Sequence, residues 1–295
     1  MTESEAAMNA IDLALIGLLL AYVALIAVER AWYALRRPGG YDDANMWGSL
    51  GVTAISTVLR NMLSLLAPVT IFAFASRWAL FDIGLVWWSW IVMILAQELI
   101  WYVDHRISHR VGLFWAIHHV HHSSPRLNFS TASRACVADG MSRWLMTGLL
   151  GLAGFELVQF VVVLSALYFI AIFSHSEAIG KLGWLDRHFA TPANHRVHHA
   201  VNPQYIDRNY GHVLMVFDRL FGTFEPEVEP PEFGVTEPVG TDNPVKIYVA
   251  GFDWLGRKMA RARTLSDTLL CLVMPPEWEP GLANAKKNPA PEVRG

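Results

Sequence analysis

The chain is poor in charge and in cysteine. Only 17% of its 295 residues are charged and 53% are hydrophobic, whereas soluble domains carry about 25% charged and about 45–50% apolar residues. Its two cysteines, Cys136 and Cys271, are too few for a disulfide framework and are interpreted as free thiols. The net charge of −3 comes without a stripe of lysine or arginine, which argues against a nucleic-acid partner. The composition favours an integral membrane protein.

Long apolar stretches indicate how the chain crosses the bilayer. Residues 13–28 and 50–75 predict two spanning helices, and the apolar segment 83–95 predicts a third that continues as a helix to residue 109. The apolar stretch 145–174 has too few residues for two spans of about 20 each. It predicts a short re-entrant hairpin that turns near residues 151–156. We therefore expect an all-α integral membrane protein with about three spanning helices and this hairpin.

The flanking charges predict the orientation of the chain. Arg30, Arg36 and Arg37 follow the first apolar stretch, and no lysine or arginine precedes it. By the positive-inside rule the loop after this stretch is cytoplasmic, so the third helix returns to the cytoplasmic side. We expect a multi-pass protein, of a bacterial inner membrane, with a cytosolic helical cap. The predicted parts are N-terminal membrane helices over 1–80, a catalytic region over 81–230, and a cytosolic strap and tail over 231–295.

Histidine is absent from residues 1–104 and 213–295, so all twelve histidines lie between His105 and His212. Three short boxes contain nine of them, at 105–109, 118–122 and 195–199. Residues i and i+3 or i+4 of a helix share a face, so each box can present imidazoles to one point. Imidazole suits iron, zinc and copper. Eight of these nine, all except His119, together with His175 make nine predicted ligands. Nine ligands are too many for one ion and predict two ions with four or five each. The predicted ligands are His105, His109, His118, His121, His122, His175, His195, His198 and His199.

Two motifs that the chain lacks narrow the chemistry. It contains no His-Glu-x-x-His, which disfavours a zinc metalloprotease, and no Glu-x-x-His pair of a carboxylate-bridged di-iron bundle. Box spacing alone does not name the metal. A membrane zinc hydrolase and a non-catalytic metal- or haem-binding membrane protein therefore stay as remote alternatives. His119 also has helical spacing to His122, but His118 repeats the i, i+3, i+4 pattern of the third box.

The boxes and their surroundings resemble the fatty acid hydroxylase/sterol desaturase superfamily of membrane di-iron oxygenases. The resemblance covers about residues 80–230. Within the superfamily the sequence is similar to the alkylglycerol monooxygenase-like bacterial lipid hydroxylases. Beyond the boxes, the motifs that carry the resemblance are Asn128-Phe129-Ser130-Thr131-Ala132, His175-x-Glu177, Asp207-x-Asn209-Tyr210-Gly211 and Asp218-Arg219-Leu220-Phe221-Gly222-Thr223.

This resemblance implies a function. It implies two iron ions on the nine histidines, activation of O₂ and hydroxylation of a C–H bond in a lipid such as a sterol, ether lipid, aminolipid or fatty acyl chain. A lipid or sterol desaturase of the same architecture is the alternative. Because the chain contains no fused haem or ferredoxin segment, the resemblance implies a separate electron donor.

Several polar residues are candidates for supporting roles around this centre. Arg134 or Arg196 could hold a phosphate or carboxylate headgroup of the lipid substrate. Residues expected to orient the ligand histidines are Glu98, Asp104, Asp207, Asn209 and Asp218.

Overall fold

The computed structural model describes residues 3–63 and 67–281, with side chains described from residue 17 onward. These residues form helices and loops with isolated β-bridges but no strand, which confirms the all-α prediction over the described ranges. The helices are α1 Glu3–Arg36, α2 Asp43–Met62, α3 Ala67–Ala75, α4 Trp87–Arg110, α5 Gly112–His122, α6 Met141–Ala153, α7 Leu157–Ile172, α8 Pro192–His198, α9 Val216–Phe221, α10 Pro244–Ala260 and α11 Leu265–Val273.

One helix of the described chain, α1, is by itself long and apolar enough to cross a membrane, over Gly17–Arg36. A second candidate is the pair formed by α2 and α3, which is bent by 40° around residues that the structure does not describe. The predicted third helix begins at Trp87, four residues later than expected, and contains buried polar residues in its second half. Three spans therefore remain a prediction, supported at α1 by length and composition.

The predicted hairpin corresponds to α6 and α7, which are separated by residues 154–156. Gly154 permits this break, since its φ is +92° and a Cβ there would lie 1.8 Å from the Phe81 carbonyl oxygen. Both helices pack on α3 and α4, where Phe72 stacks on Phe160 with ring centroids 4.6 Å apart. This packing places His175, which follows α7, beside the histidines of the second and third boxes.

The C-terminal region packs on the helix that carries the second box. Helix α10 lies against α5 and α2, with Ile247 and Leu255 buried. Gly251 allows this approach, because a Cβ there would lie 2.0 Å from the Ala116 carbonyl oxygen. Lys258 is buried and donates to the Pro276 carbonyl over 2.7 Å. Helix α5 is therefore held between α4 and α10. The division of the chain into three parts remains a prediction.

Candidate metal centre

Four parts of the fold bring the nine predicted ligand histidines together. The end of α4 supplies the first box, α5 the second, the residues after α7 supply His175, and α8 with its C-cap supplies the third box. Their ring nitrogens form two groups, within each of which all ligand atoms lie within 4.8 Å of one another. The first group is His105, His109, His118, His122 and His198. The second group is His121, His175, His195 and His199.

The Nε2 atoms of the first group face one another at short range. His122 Nε2 lies 3.1 Å from that of His109, 3.1 Å from that of His198 and 3.2 Å from that of His118. His105 Nε2 lies 3.1 Å from His118 Nε2. Five imidazoles from three helices thus point at one small volume.

The second group repeats this arrangement with four imidazoles. His175 Nε2 lies 2.9 Å from His195 Nε2 and 3.4 Å from His121 Nε2, and His199 Nε2 lies 3.0 Å from His195 Nε2. The two groups adjoin, since the rings of His122 and His199 stack with centroids 4.4 Å apart.

Hydrogen bonds at the opposite ring nitrogen determine which tautomer these histidines adopt. Nδ1 of His105, His121, His175 and His198 lies 2.9–3.2 Å from a backbone carbonyl oxygen. A carbonyl accepts but cannot donate, so each of these Nδ1 atoms carries the proton and each Nε2 carries a lone pair. The close contact between His121 Nε2 and His175 Nε2, at 3.4 Å, therefore cannot be a hydrogen bond.

Two carboxylates act on Nδ1 in the same way. Asp139 Oδ1 lies 3.1 Å from His118 Nδ1, and Asp207 Oδ1 lies 3.4 Å from His109 Nδ1. Carboxylates commonly orient histidine ligands through this ring nitrogen. Burial raises the pKa of Asp139, but the neighbouring His118 and His121 hold that pKa down at about 2. Asp139 is therefore an anion beside its histidine.

Burial also favours the neutral form of eight of the grouped imidazoles. The pKa of His109 and the pKa of His175 are each lowered to about 4, chiefly by burial. For His105, His122 and His198 the pKa falls well below the usual value, again chiefly by burial and then through neighbouring histidines. Neutral imidazole is the form that binds a metal.

The spacing of the nitrogens fits a metal ion in each group. With metal–nitrogen bonds of about 2.0–2.1 Å, adjacent ligand nitrogens are about 2.9 Å apart at a right angle and about 3.4 Å apart at the tetrahedral angle. The observed Nε2 separations of 2.9–3.4 Å cover this range. A cation would also compensate the converging lone pairs, which otherwise repel. The donor set therefore fits two transition-metal ions.

Two of the acidic candidates do not contact a ligand in the described chain. Glu98 accepts hydrogen bonds from the backbone N–H groups of Val213 and Leu214 at 3.1 and 2.7 Å. Asp104 pairs with Arg143 at 2.9 Å. The expectation that they orient ligand histidines by direct contact is therefore wrong, because their carboxylate oxygens are engaged by the backbone of residues 213–214 and by Arg143 at the start of α6.

Asn209 and Asp218 act on the centre through the backbone. Asn209 donates to the carbonyl oxygen of Asn194, which precedes a ligand in the third box, at 3.0 Å. Asp218 accepts from the N–H groups of Tyr210 and Gly211, each at 2.7 Å. The Tyr210 carbonyl in turn accepts the proton of a first-group histidine. Both residues thus position ligands without touching them.

The two candidate headgroup arginines are buried within the fold. Arg196 forms a two-point ion pair with Glu227, at 2.7 and 2.8 Å, and donates to the Ile179 carbonyl oxygen. Arg134 is 1% exposed, and its guanidinium donates to Ser123 Oγ at 3.0 Å. Since Arg196 already has its anionic partner and neither guanidinium is exposed, the geometry does not support headgroup binding by either residue.

The remaining histidines lie outside both groups. His119 is buried with its ring away from the nitrogens of the first group, so the choice of His118 as ligand agrees with the geometry. His188 is exposed. His212 is buried beside Glu98, at 3.6 Å, and stacks on Trp101 with centroids 3.5 Å apart. Sequence reasoning missed Asp139, which follows the second box by 17 residues in a turn without a metal-site motif.

Comparison with known proteins agrees with this geometry. The family model of the fatty acid hydroxylases matches residues 90–223, which contain all nine grouped histidines. Over these residues the chain is similar to the fatty acid hydroxylase family. No solved structure matches the chain.

The relatives include lipid-modifying enzymes. The chain is 31% identical to the alkylglycerol monooxygenase of Danio rerio over 88% of its own length and 58% of the relative's. It is 35% identical to the alkylglycerol monooxygenase of Homo sapiens over 71% of its own length and 47% of the relative's. The ornithine lipid hydroxylase OlsE of Rhizobium tropici is 24% identical over 97% of the chain and 86% of OlsE. The chain thus spans about half the length of the alkylglycerol monooxygenases that it matches.

Proposed function

We propose that this chain is an O₂-dependent di-iron membrane oxygenase that hydroxylates a C–H bond of a lipid. The observation that carries the proposal is the convergence of five and four histidine Nε2 atoms on two adjoining points. The match of residues 90–223 to the fatty acid hydroxylase family and the lipid hydroxylases among the relatives support the reaction class.

The protein's own part in the reaction is to hold the ions and exclude water. Two bound iron ions supply the chemistry of O₂ reduction and C–H oxidation. Burial lowers the pKa of His105, His122 and His198, which favours their neutral form. Carbonyl oxygens at Nδ1 of His105 and His198 direct the Nε2 atoms of these rings inward. Electrons come from a separate donor, protein or small reductant.

The position of the site on α4 supports a lipid substrate. Helix α4 exposes large apolar side chains at successive turns, and Leu99 is the last of them. His105 follows six residues later, which is about 9 Å along the helix axis. With this apolar face in the hydrocarbon, the metal centre lies close to the headgroup level on the cytoplasmic side. A bilayer lipid therefore does not have to leave the membrane to reach the metal centre.

Metal analysis of the purified protein tests the iron assignment. We expect about two irons per chain in the wild type and a marked loss in His118→Ala. His188→Ala should retain both, because this exposed histidine belongs to neither group, and His119→Ala provides a buried control. Stoichiometric zinc without iron, even after anaerobic reconstitution with iron, would contradict the assignment.

Product mass tests the reaction. Membrane lipids incubated with the iron-loaded protein, a reductant and ¹⁸O₂ should gain one ¹⁸O atom in a product that His118→Ala does not form. Loss of two hydrogens without oxygen incorporation would instead indicate the desaturase. Turnover that persists without O₂ would exclude both oxidative reactions.

A further inference from the structure

Residues 181–189 and α9 form one continuous surface outside the metal centre. The Met215 N–H donates to the His188 carbonyl at 2.9 Å. The Arg219 Nε–H donates to the Arg187 carbonyl at 2.6 Å. These bonds hold the two segments side by side. We call residues 181–189 and 216–221 together the basic–aromatic surface.

The basic–aromatic surface exposes an unusual amount of apolar side chain. Trp184 is 67% exposed and Leu220 is 69% exposed. Further exposed members are Leu182, Phe189, Val216 and Phe221. Large apolar side chains that are grouped in this way mark an interaction surface.

This surface continues along the apolar face of α4. Phe221 stacks on Tyr102 of α4 with ring centroids 5.2 Å apart. Below Tyr102, α4 exposes an apolar stripe at intervals of three or four residues, formed by Trp88, Ile91, Leu95 and Leu99. A bilayer can cover both features at different depths, the α4 stripe with its hydrocarbon and the basic–aromatic surface with its headgroups. A soluble partner would have to cover the extended apolar stripe as well.

A cleft of about 440 Å³ opens in the same surface. Its lining includes Lys181, Arg187 and Arg219, and its floor includes Ala193 and Asn194, which directly precede a ligand of the second group. Lys181 and Arg187 have no side-chain hydrogen bond or ion pair among the described residues. Arg219 lies with its guanidinium over the Phe224 ring, 3.8 Å from the centroid.

The acidic residues of the cleft are already engaged. Asp186 accepts from the Leu182 N–H at 2.9 Å and from the Thr191 hydroxyl at 2.5 Å. Glu227 is paired with Arg196. Three cations line the cleft, whereas Asp186 is its one carboxylate without a cationic partner among the described residues. The cleft therefore has an excess of positive charge, which an anion of phosphate size would match.

We infer that the basic–aromatic surface lies against the cytoplasmic face of the bilayer and that its cleft receives the phosphate of an anionic phospholipid. Tryptophan and basic side chains are enriched at this level of a membrane. Each basic residue near an anionic bilayer adds about 1 kcal/mol, or about fivefold in binding. The inference rests on the membrane placement in the proposed function but not on the metal or the reaction.

A fluorescent probe on Trp184→Cys tests the placement in nanodiscs. The native Cys136 and Cys271 are buried and do not compete for the label. We expect quenching by a nitroxide on the lipid headgroup, and none for a matched probe on Lys246→Cys, an exposed position of α10. A probe on Leu19→Cys tests whether α1 lies in the membrane, because a nitroxide on the lipid acyl chain should then quench it.

The outcomes separate the two ideas. Quenching at positions 19 and 184 supports the inference. If only the probe at position 19 is quenched by lipid nitroxides and aqueous iodide quenches the probe at 184, the inference about the surface is overturned. The membrane placement then stands, and the surface is assigned to a soluble partner. No quenching at either position overturns the membrane placement as well.

Lipid selectivity tests the cleft. Detergent-purified protein should retain fluorescent phosphatidylglycerol over phosphatidylcholine by at least about fivefold at low salt, less at high salt. The variant with Lys181, Arg187 and Arg219 changed to glutamine should lose this preference. A control with Lys246, Arg261 and Arg263 changed to glutamine should retain it. Equal retention of both lipids by the wild type, or equal loss in both variants, overturns the assignment of the cleft.

Discussion

Asp218 fixes the peptide group between Tyr210 and Gly211. That peptide group orients His105, a ligand histidine that Asp218 itself does not contact. This fully buried carboxylate accepts three hydrogen bonds of 2.7 Å, from Tyr210 N–H, Gly211 N–H and the Thr223 hydroxyl. The Gly211 N–H and the Tyr210 carbonyl belong to one peptide group, and that carbonyl accepts the Nδ1 proton of His105 at 2.9 Å. We therefore expect Asp218→Asn to weaken the first metal group.

The size of the effect follows from the bonds that are lost. Asparagine has one acceptor oxygen, so its amide NH₂ must face one of the N–H donors that Asp218 now satisfies. A hydrogen bond to a charged group contributes about 1.5–3 kcal/mol, and a buried unsatisfied donor costs about 1–3 kcal/mol. We expect Asp218→Asn to lower the free energy of unfolding by about 2–4 kcal/mol. Loss of such an outer contact also lowers metal affinity by about 10–100-fold.

Thr223→Val is the matched control. It removes one bond to Asp218 but leaves both peptide N–H bonds in place, so it should destabilise the protein without changing metal affinity. Thermal unfolding gives the stability, and a chelator titration of the iron-loaded protein gives the affinity. The reasoning is refuted if Asp218→Asn binds iron as tightly as Thr223→Val.

Three further predictions concern the metal centre and the packing of α10 on α5. Asp139→Ala removes the anion beside His118 and should lower metal affinity by about 10–100-fold in the same chelator titration, whereas unchanged affinity would exclude this role. Burial lowers the pKa of His109 to about 4, so unfolding takes up protons below the unfolded value near 6.5. The metal-free protein should lose about 1.4 kcal/mol per pH unit for each such histidine as pH falls from about 6.5 towards 4, and a flat melting temperature over that range contradicts it. Gly251→Ala places a Cβ against the α5 backbone and should cost about 1–3 kcal/mol. Gly256→Ala, with open space around it, should be neutral or stabilising in the same thermal assay.

Much of the metal centre could be predicted because helical spacing determines which side chains share a face. Eight of the nine histidines in the two groups lie in the boxes, whose helical spacing predicts a shared face. The hairpin before His175 follows from the sequence only if His175 is a ninth ligand. Which histidines form the group of five and which the group of four could not be predicted. It depends on His121 turning to the second group while its neighbour His122 turns to the first, and box spacing does not specify this split.

The fold was less accessible where tertiary packing overrides local polarity. In the sequence, residues 246–273 have weak helical periodicity and a basic face, a pattern typical of a helix at the membrane surface or in solvent. The structure buries Lys258 there and packs α10 closely on α5. The close approach depends on Gly251, whose missing side chain carries no periodic signal. Helix α4 is not among the helices that are apolar enough to span a membrane, because it combines an exposed apolar stripe with buried polar residues, which lower its mean hydropathy.

The Asp207-x-Asn209-Tyr210-Gly211 motif is best understood as a loop that supplies acceptors to the metal ligands. Asp207 offers its carboxylate, while Arg208 and Tyr210 offer carbonyl oxygens, each to a different histidine of the first group. Asp207 and Asn209 have φ values of 61° and 56°, a left-handed conformation that these residue types tolerate better than most. The alternating conformation brings successive acceptors of one short loop to one site. Sequence reasoning assigned the motif's polar side chains to direct ligand contacts, whereas two of its three contacts come from backbone oxygens.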